Sequence, residues 1–139
     1  MFLALAAGCS KTETVRTTPT AVRLRELLAQ GSGSNYAATA DRSVDERVRP
    51  RTRPGGPATV RQALERGIAR LPRWKIQAAD DSVLWATRTT RVFRWVDDIF
   101  ILLTPFGDST RIEARSASRV GKGDLGQNRR NLAELWRSF

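Results

Sequence analysis

Residues 98–120 read "DIFILLTPFGDSTRIEARSASRV", and the two halves on either side of Gly107 carry different patterns. From Ile99 to Phe106 nearly every side chain is apolar, which suits a central strand covered on both faces. Beyond the "GDS" turn at residues 107–109 the pattern alternates. Ile112, Ala114, Ser116 and Ser118 fall on one face, and Arg111, Glu113, Arg115 and Arg119 fall on the other. A doubly covered strand joined by a tight turn to a half-covered one predicts an antiparallel sheet.

Working outward from this pair, "VLWATRTTRVFRW" at residues 83–95 is rich in β-branched and aromatic residues and reads as one strand reaching Trp95. "DDS" at residues 80–82 makes a turn, and "RWKIQAA" at 73–79 alternates Trp74, Ile76 and Ala78 against polar neighbours. Before these strands, Thr59-x-x-Gln62 fits a capping box, Val60, Ala63, Leu64, Gly67, Ile68 and Leu71 recur at helical spacing, and Pro72 ends the run. After them, Asp124 with Gln127 fits a second capping box. It opens a helix whose apolar face holds Leu125, Leu132, Leu135, Trp136 and Phe139, with Asn128 on the same face. The expected fold is α+β: a four-stranded antiparallel meander with an N-terminal and a C-terminal helix packed on one face, a two-layer sandwich. Residues 31–57, rich in Gly, Ser, Pro and Arg, read as extended or irregular.

The chain has 139 residues, enough for one domain with an ordinary core, and a formal charge of +10. Of the 24 basic residues only Lys11, Lys75 and Lys122 are lysine, and the arginines are scattered, with no run longer than two. Charge without a motif gives non-specific attraction only, so no specific nucleic-acid partner is expected. The chain contains no histidine and one cysteine. This excludes Ser-His-Asp and Cys-His nucleophile systems, histidine metal sites, cysteine metal clusters and internal disulfides. No cofactor and no metal are expected.

The cysteine, Cys9, ends "LALAAGC", where small residues precede it after an apolar run. This resembles the lipobox of bacterial lipoproteins, in which the cysteine is diacylated and becomes the mature N-terminus. The run is short and no basic residue precedes it, so the expectation is that residues 1–9 are a truncated lipoprotein-type signal segment whose true start lies upstream. Residues 10–31 then read as a tether with a short helix at Leu24, Leu27 and Leu28, stopped by Gly31. The address this implies is the bacterial cell envelope: a protein held by a lipid anchor, on the outer membrane facing the periplasm.

"FRWVDDIFILL" followed by "RIEARSASRVGKGDLGQNRRNL" resembles the domain-of-unknown-function family 1499 (DUF1499). Its members carry an aromatic-x-Asp-Asp step and then an Arg-Ser-x-Ser-Arg-x-Gly-x-x-Asp-x-Gly-x-Asn stretch. "SGSNYAAT" at residues 32–39 is similar to the family's "SPNCVSS"-like opening, with Tyr36 where many relatives have cysteine. The resemblance covers residues 32–139 and brings no activity with it.

The second of those stretches concentrates the candidate site residues: Asp97, Asp98, Arg115, Ser116, Ser118, Arg119, Asp124 and Asn128. One reading makes them an anion site, with guanidinium groups beside helix-start amides, or a carboxylate pair able to serve as acid and base in an Asp-dependent hydrolase. The other makes them a polar lock. Small serines let the helix approach the sheet, a buried Asn128 finds partners, and the aspartates pair with Arg115 or Arg119. The favoured expectation is a binding or scaffolding domain of the envelope, with an envelope protein or small anionic ligand as partner and no catalytic residue.

Overall fold

The structure of the protein, a computed structural model, describes residues 17–139; Cys9 and the signal-like segment lie outside the described residues. The elements run α1 (Ala21–Ala29), β1 (Tyr36–Ala38), a 3-10 turn (Glu46–Val48), β2 (Arg51–Pro54), α2 (Pro57–Ala69), β3 (Trp74–Ala79), β4 (Val83–Thr89), β5 (Val96–Phe106), β6 (Ser109–Ser118) and α3 (Gln127–Arg137). The protein is therefore a mixed α+β domain with three α-helices and one antiparallel sheet.

Strands β3, β4, β5 and β6 form the expected meander, in the order β3-β4-β5-β6. The sheet is wider than four strands. The outer edge of β6 is occupied twice, by β1 opposite residues 115–117 and by β2 opposite residues 109–112. Between them Thr39 completes the ladder: its N–H donates to the Ala114 carbonyl at 3.0 Å and its hydroxyl accepts from the Ala114 N–H at 3.1 Å. Residues 31–57, read as extended or irregular, are extended at two places, β1 and β2, and these are paired strands that the sequence reading did not count. Each strand is too short to show periodicity, and each exists because β6 would otherwise present unpaired backbone groups along its length.

A second correction concerns residues 83–95. Strand β4 stops at Thr89, and residues 90–95 reverse the chain. The Thr90 N–H donates to the Trp95 carbonyl at 2.8 Å, the Trp95 N–H donates to the Thr90 hydroxyl at 2.9 Å, and Arg94 takes a left-handed φ of 54°. The β-propensity of Val92 and Phe93 is overridden because the chain must turn back for β5 to pair with β4.

The continuous apolarity of β5 corresponds to cover on both faces. Ile99, Ile101 and Leu103 join Val60, Leu64 and Ile68 of α2 and Leu132 and Leu135 of α3 in the larger core. Phe100 and Leu102 face the other way and pack, with Val83 and Ala38, under Leu24 and Leu28 of α1. So α2 and α3 share one face as expected, while α1 covers part of the opposite face as a third layer. The region read as tether contributes core.

The helix starts also differ from their capping boxes. Helix α2 begins at Pro57 behind a Gly56 cap with no side-chain bond, because proline is pre-set for the first helical position. Helix α3 begins at Gln127 behind Gly126, whose φ of 77° suits glycine, and Leu125 just before it is 94% exposed instead of lying on the apolar face. Gly67 of α2 sits where a Cβ would collide with the Ser138 backbone, so this glycine lets α2 and the end of α3 touch. The 3-10 turn is pinned to α3 by Asp45, which accepts from Arg47 and from Arg129 at 3.1 Å, and by Trp136 Nε1, which donates to the Arg47 carbonyl at 2.8 Å. The Arg47 guanidinium holds the Asp45 carboxyl well below the usual carboxylate range.

Candidate functional site

The register of β5 against β6 sets Asp97 opposite Ser118 and Ile99 opposite Ser116. Small hydroxyl side chains on β6 leave room for the first turns of α3, and there a buried hydrogen-bonded seam forms. Asn131 Nδ2 donates to Asp97 Oδ2 at 2.8 Å and to Ser116 Oγ at 3.1 Å. The Ser116 hydroxyl donates to Asn128 Oδ1 at 2.6 Å. Asn128 Nδ2 is directed at the Asn35 carbonyl (2.9 Å), Ser118 Oγ (3.0 Å) and the Asp124 carboxylate. Asp124 also accepts from the backbone N–H groups of Gly126 and Asn128, at 2.9 and 2.7 Å. It thus serves the orphan amides at the start of α3 from two residues ahead of the formal cap.

Asp98, one residue along β5, points through the opposite face. Arg119 grips it with two bonds, Nε to Oδ2 and Nη2 to Oδ1, both 2.8 Å, and Trp85 Nε1 donates to Oδ1 at 2.9 Å. This charge-assisted fork raises the Arg119 guanidinium pKa, chiefly through the Asp98 hydrogen bonds. The acid–base pair of aspartates is thereby corrected: strand alternation separates Asp97 from Asp98 by the thickness of the sheet.

Arg115 does not pair with either aspartate. Its guanidinium lies 4.6 Å from the centre of the Tyr36 ring, the side chain is buried, and Nε has no hydrogen-bond partner. Burial lowers its pKa, and the Tyr36 hydroxyl acts in the opposite sense. The eight candidate residues therefore divide into three groups. Asp97, Ser116, Ser118, Asp124 and Asn128 belong to the seam, Asp98 and Arg119 form a separate ion pair, and Arg115 stands apart.

Above the seam a cleft of about 320 Å³ opens between residues 90–95 and residues 118–130. Asp97 and Ser118 reach its floor, Phe93, Trp95, Val120 and Leu125 form its apolar walls, and Arg88, Arg91 and Arg130 supply its cations. Phe93 and Trp95 stack at 4.8 Å between ring centres and 18° between planes. Arg88 is held by Glu134 at 3.2 Å, whereas Arg91 and Arg130 enter no ion pair among the described residues. Burial raises the Asp97 pKa, while its bonds from Asn131 and Ser118 and the charge of Arg88 pull it back.

The sequence reading omits Asn131, Asn35 and the aromatic wall. Asn131 had a signal: it follows Asn128 by three residues, on the same helical face as Leu132 and Leu135. Asn35 acts through its backbone carbonyl, which no residue type announces. Phe93 and Trp95 are hidden by their resemblance to strand residues. Among the described residues, no three His, Cys, Asp or Glu side chains gather to hold a metal, and no helix is long and apolar enough to cross a membrane.

A family model described as "Protein of unknown function (DUF1499)" matches residues 12–139. No curated protein matches the chain. Among solved structures, the crystal structure of TTHA0849 from Thermus thermophilus is similar at 12% identity and a TM-score of 0.34, covering 64% of this chain and 90% of that one.

Proposed function

Because the chain belongs to the DUF1499 family, whose activity is unknown, we propose from its own side chains that it is a binding domain of the bacterial cell envelope, tethered through a lipidated Cys9, and that its cleft takes a small ligand joining an anionic group to an apolar part. The observation that carries the reading is the contrast between floor and walls. Beneath the cleft, amides, hydroxyls and carboxylates spend their hydrogen-bonding capacity on one another. Above it, Arg91 and Arg130 have no carboxylate partner beside a stacked aromatic pair, and Arg130 is steadied by neutral acceptors only, the Leu125 carbonyl at 3.0 Å and Gln127 Oε1 at 3.2 Å. Rigid polar support under cationic and aromatic walls suits recognition of an amphiphilic anion.

Titration with octyl phosphate, with octyl glucoside and with inorganic phosphate tests the cleft. Saturable binding of octyl phosphate, weakened by about tenfold or more in Arg91→Ala/Arg130→Ala, is expected; equal binding of all three probes, or none, overturns it. Metabolic labelling with an alkyne analogue of palmitate tests the anchor. Label and membrane residence should both disappear in Cys9→Ser, and a wild-type chain that takes no label refutes lipidation.

An Asp-dependent hydrolase is the second reading, favoured by one observation: Asp97 lies at the cleft floor with its pKa raised by burial, beside Arg88. Hydrolysis of p-nitrophenyl phosphate or an ester analogue, abolished in Asp97→Asn with folding intact, is its test. Turnover that survives the substitution ends that reading.

A further inference from the structure

Five of the eight large apolar residues that stand exposed among the described residues belong to two loops at one end of the sheet: Val92, Phe93 and Trp95 after β4, and Val120 and Leu125 after β6. The other three, Val22, Val44 and Phe106, lie singly elsewhere. Scattered exposed apolar side chains are ordinary, but a concentration on neighbouring loops is not. Val92 is 78% exposed, Phe93 68% and Leu125 94%.

The backbone makes the exposure harder to attribute to chance. Leu125 holds a left-handed φ of 51°, a conformation in which glycine or asparagine is favoured and leucine is strained. It gains no compensating burial. Arg94, in the other loop, holds a φ of 54°. Stability alone would select neither residue at its position.

The exposed charges around these tips are cations. Residues 90–95 contain Arg91 and Arg94 and no acid; residues 119–126 contain Arg119, Lys122 and a single acid, Asp124. The Asp124 carboxylate is engaged by Gly126 and Asn128, and Arg119 is engaged by Asp98. Arg91, Arg94 and Lys122 remain as exposed cations beside the apolar tips.

We infer that this end of the domain docks onto the surface of an anionic lipid bilayer, with Val92, Phe93, Trp95 and Leu125 entering the interfacial layer and Arg91, Arg94 and Lys122 meeting the head groups. Indole and phenyl rings favour that layer, and each cation near an anionic leaflet adds to the attraction. A stacked Phe93–Trp95 pair flanked by the bare tips Val92 and Leu125, with cations between them, fits a soft interface that closes around an uneven surface; a protein partner would have to match each projection. The inference is independent of lipidation at Cys9; Phe93, Trp95, Leu125 and Arg91 also line the cleft, so docking and ligand capture are told apart by Arg94 and Lys122 on one side and Arg130 on the other.

The test uses the full chain with Cys9→Ser, sedimented with vesicles of phosphatidylcholine alone or with one quarter phosphatidylglycerol. Binding to the mixed vesicles should exceed binding to the neutral ones by about tenfold and fall with added salt. Leu125→Asn and Val92→Ser should each weaken it severalfold without lowering the melting temperature, since both side chains are bare. No binding, or binding indifferent to these two substitutions, overturns the inference. A concentration-dependent dimer that Leu125→Asn dissociates, with no vesicle binding, assigns the patch to a second copy and also overturns it. Arg130 lines the cleft only, and Arg94 and Lys122 belong to the docking surface only. Binding lost in Arg130→Ala but kept in Arg94→Ala/Lys122→Ala leaves head-group capture by the cleft and overturns docking. The reverse pattern supports docking whether or not octyl phosphate binds.

Discussion

Asp97 and Asp98 are consecutive on β5, yet their carboxylates lie on opposite faces of the sheet, the first bonded by Asn131 of α3 and the second clamped by Arg119 and Trp85. The pair therefore acts as two anchors: Asp97 fastens the end of β5 to α3, and Asp98 ties it across the sheet to Trp85 of β4 and to Arg119 just beyond β6.

The Asp98 anchor is a buried carboxylate with three donors, so Asp98→Ala leaves the Arg119 guanidinium and the Trp85 N–H without their acceptor. A loss of about 3 kcal/mol in unfolding free energy is expected. Asp98→Asn keeps one acceptor oxygen but loses the charge and should cost less, about 1–2 kcal/mol. Urea unfolding of both variants measures this. Equal stability of Asp98→Ala and wild type would show that the ion pair is idle.

Asp97 makes a pH-dependent contribution of opposite sense to an ordinary paired carboxylate. Its pKa in the folded protein lies above the ordinary aspartate value of 3.8 because burial disfavours the charged form. The folded chain then holds this proton more tightly than the unfolded chain, and stability falls as pH rises from about 3.8 through the folded value. Other groups titrate in the same range, so the difference between wild type and Asp97→Asn is the useful quantity. Wild-type stability relative to the variant should decline as the pH is raised above the ordinary carboxylate range. A difference that stays flat or rises would mean that Asp97 is charged and well compensated.

Much of this architecture is legible in the sequence. The four-strand meander follows from the switch between the doubly apolar Ile99–Leu103 run and the alternating residues 111–119, and the faces assigned to Ser116, Ser118, Arg115 and Arg119 are those observed. What escapes is non-local. Strands β1 and β2 exist only as partners for β6, some sixty to eighty residues away, and no periodicity fits into three or four residues. The turn at residues 90–95 is written in strand-forming residues, so its dihedral signal is masked by composition. The cleft escapes for the same reason, since Phe93 and Trp95 line it only because that segment turns.

Arg115 is a buried guanidinium stacked on Tyr36 with no carboxylate partner and an unsatisfied Nε. Taking such a group out of water is costly, and an unbranched apolar side chain of similar length fills the same volume. Arg115→Met should raise stability by about 1 kcal/mol. A marked destabilisation in thermal and urea melts would mean that the ring contact outweighs desolvation.

Gly67 lies within α2, where alanine is ordinarily the better residue by roughly 1 kcal/mol. Here the first carbon of a side chain would collide with the Ser138 backbone, which cannot swing aside as a flexible side chain could. The contact joins α2 to the end of α3, and α3 carries Asn128 and Asn131. Gly67→Ala should therefore destabilise the domain by about 1–3 kcal/mol despite the gain in helix propensity, because overpacking forces the helices apart. The same shift should loosen the Asn131–Asp97 bond. Hydrogen–deuterium exchange at the first turns of α3 distinguishes this from a local effect on α2: faster exchange there, with the amides of β3 and β4 unchanged, is the expected result, and uniform protection across α3 would show that the collision is absorbed at Ser138.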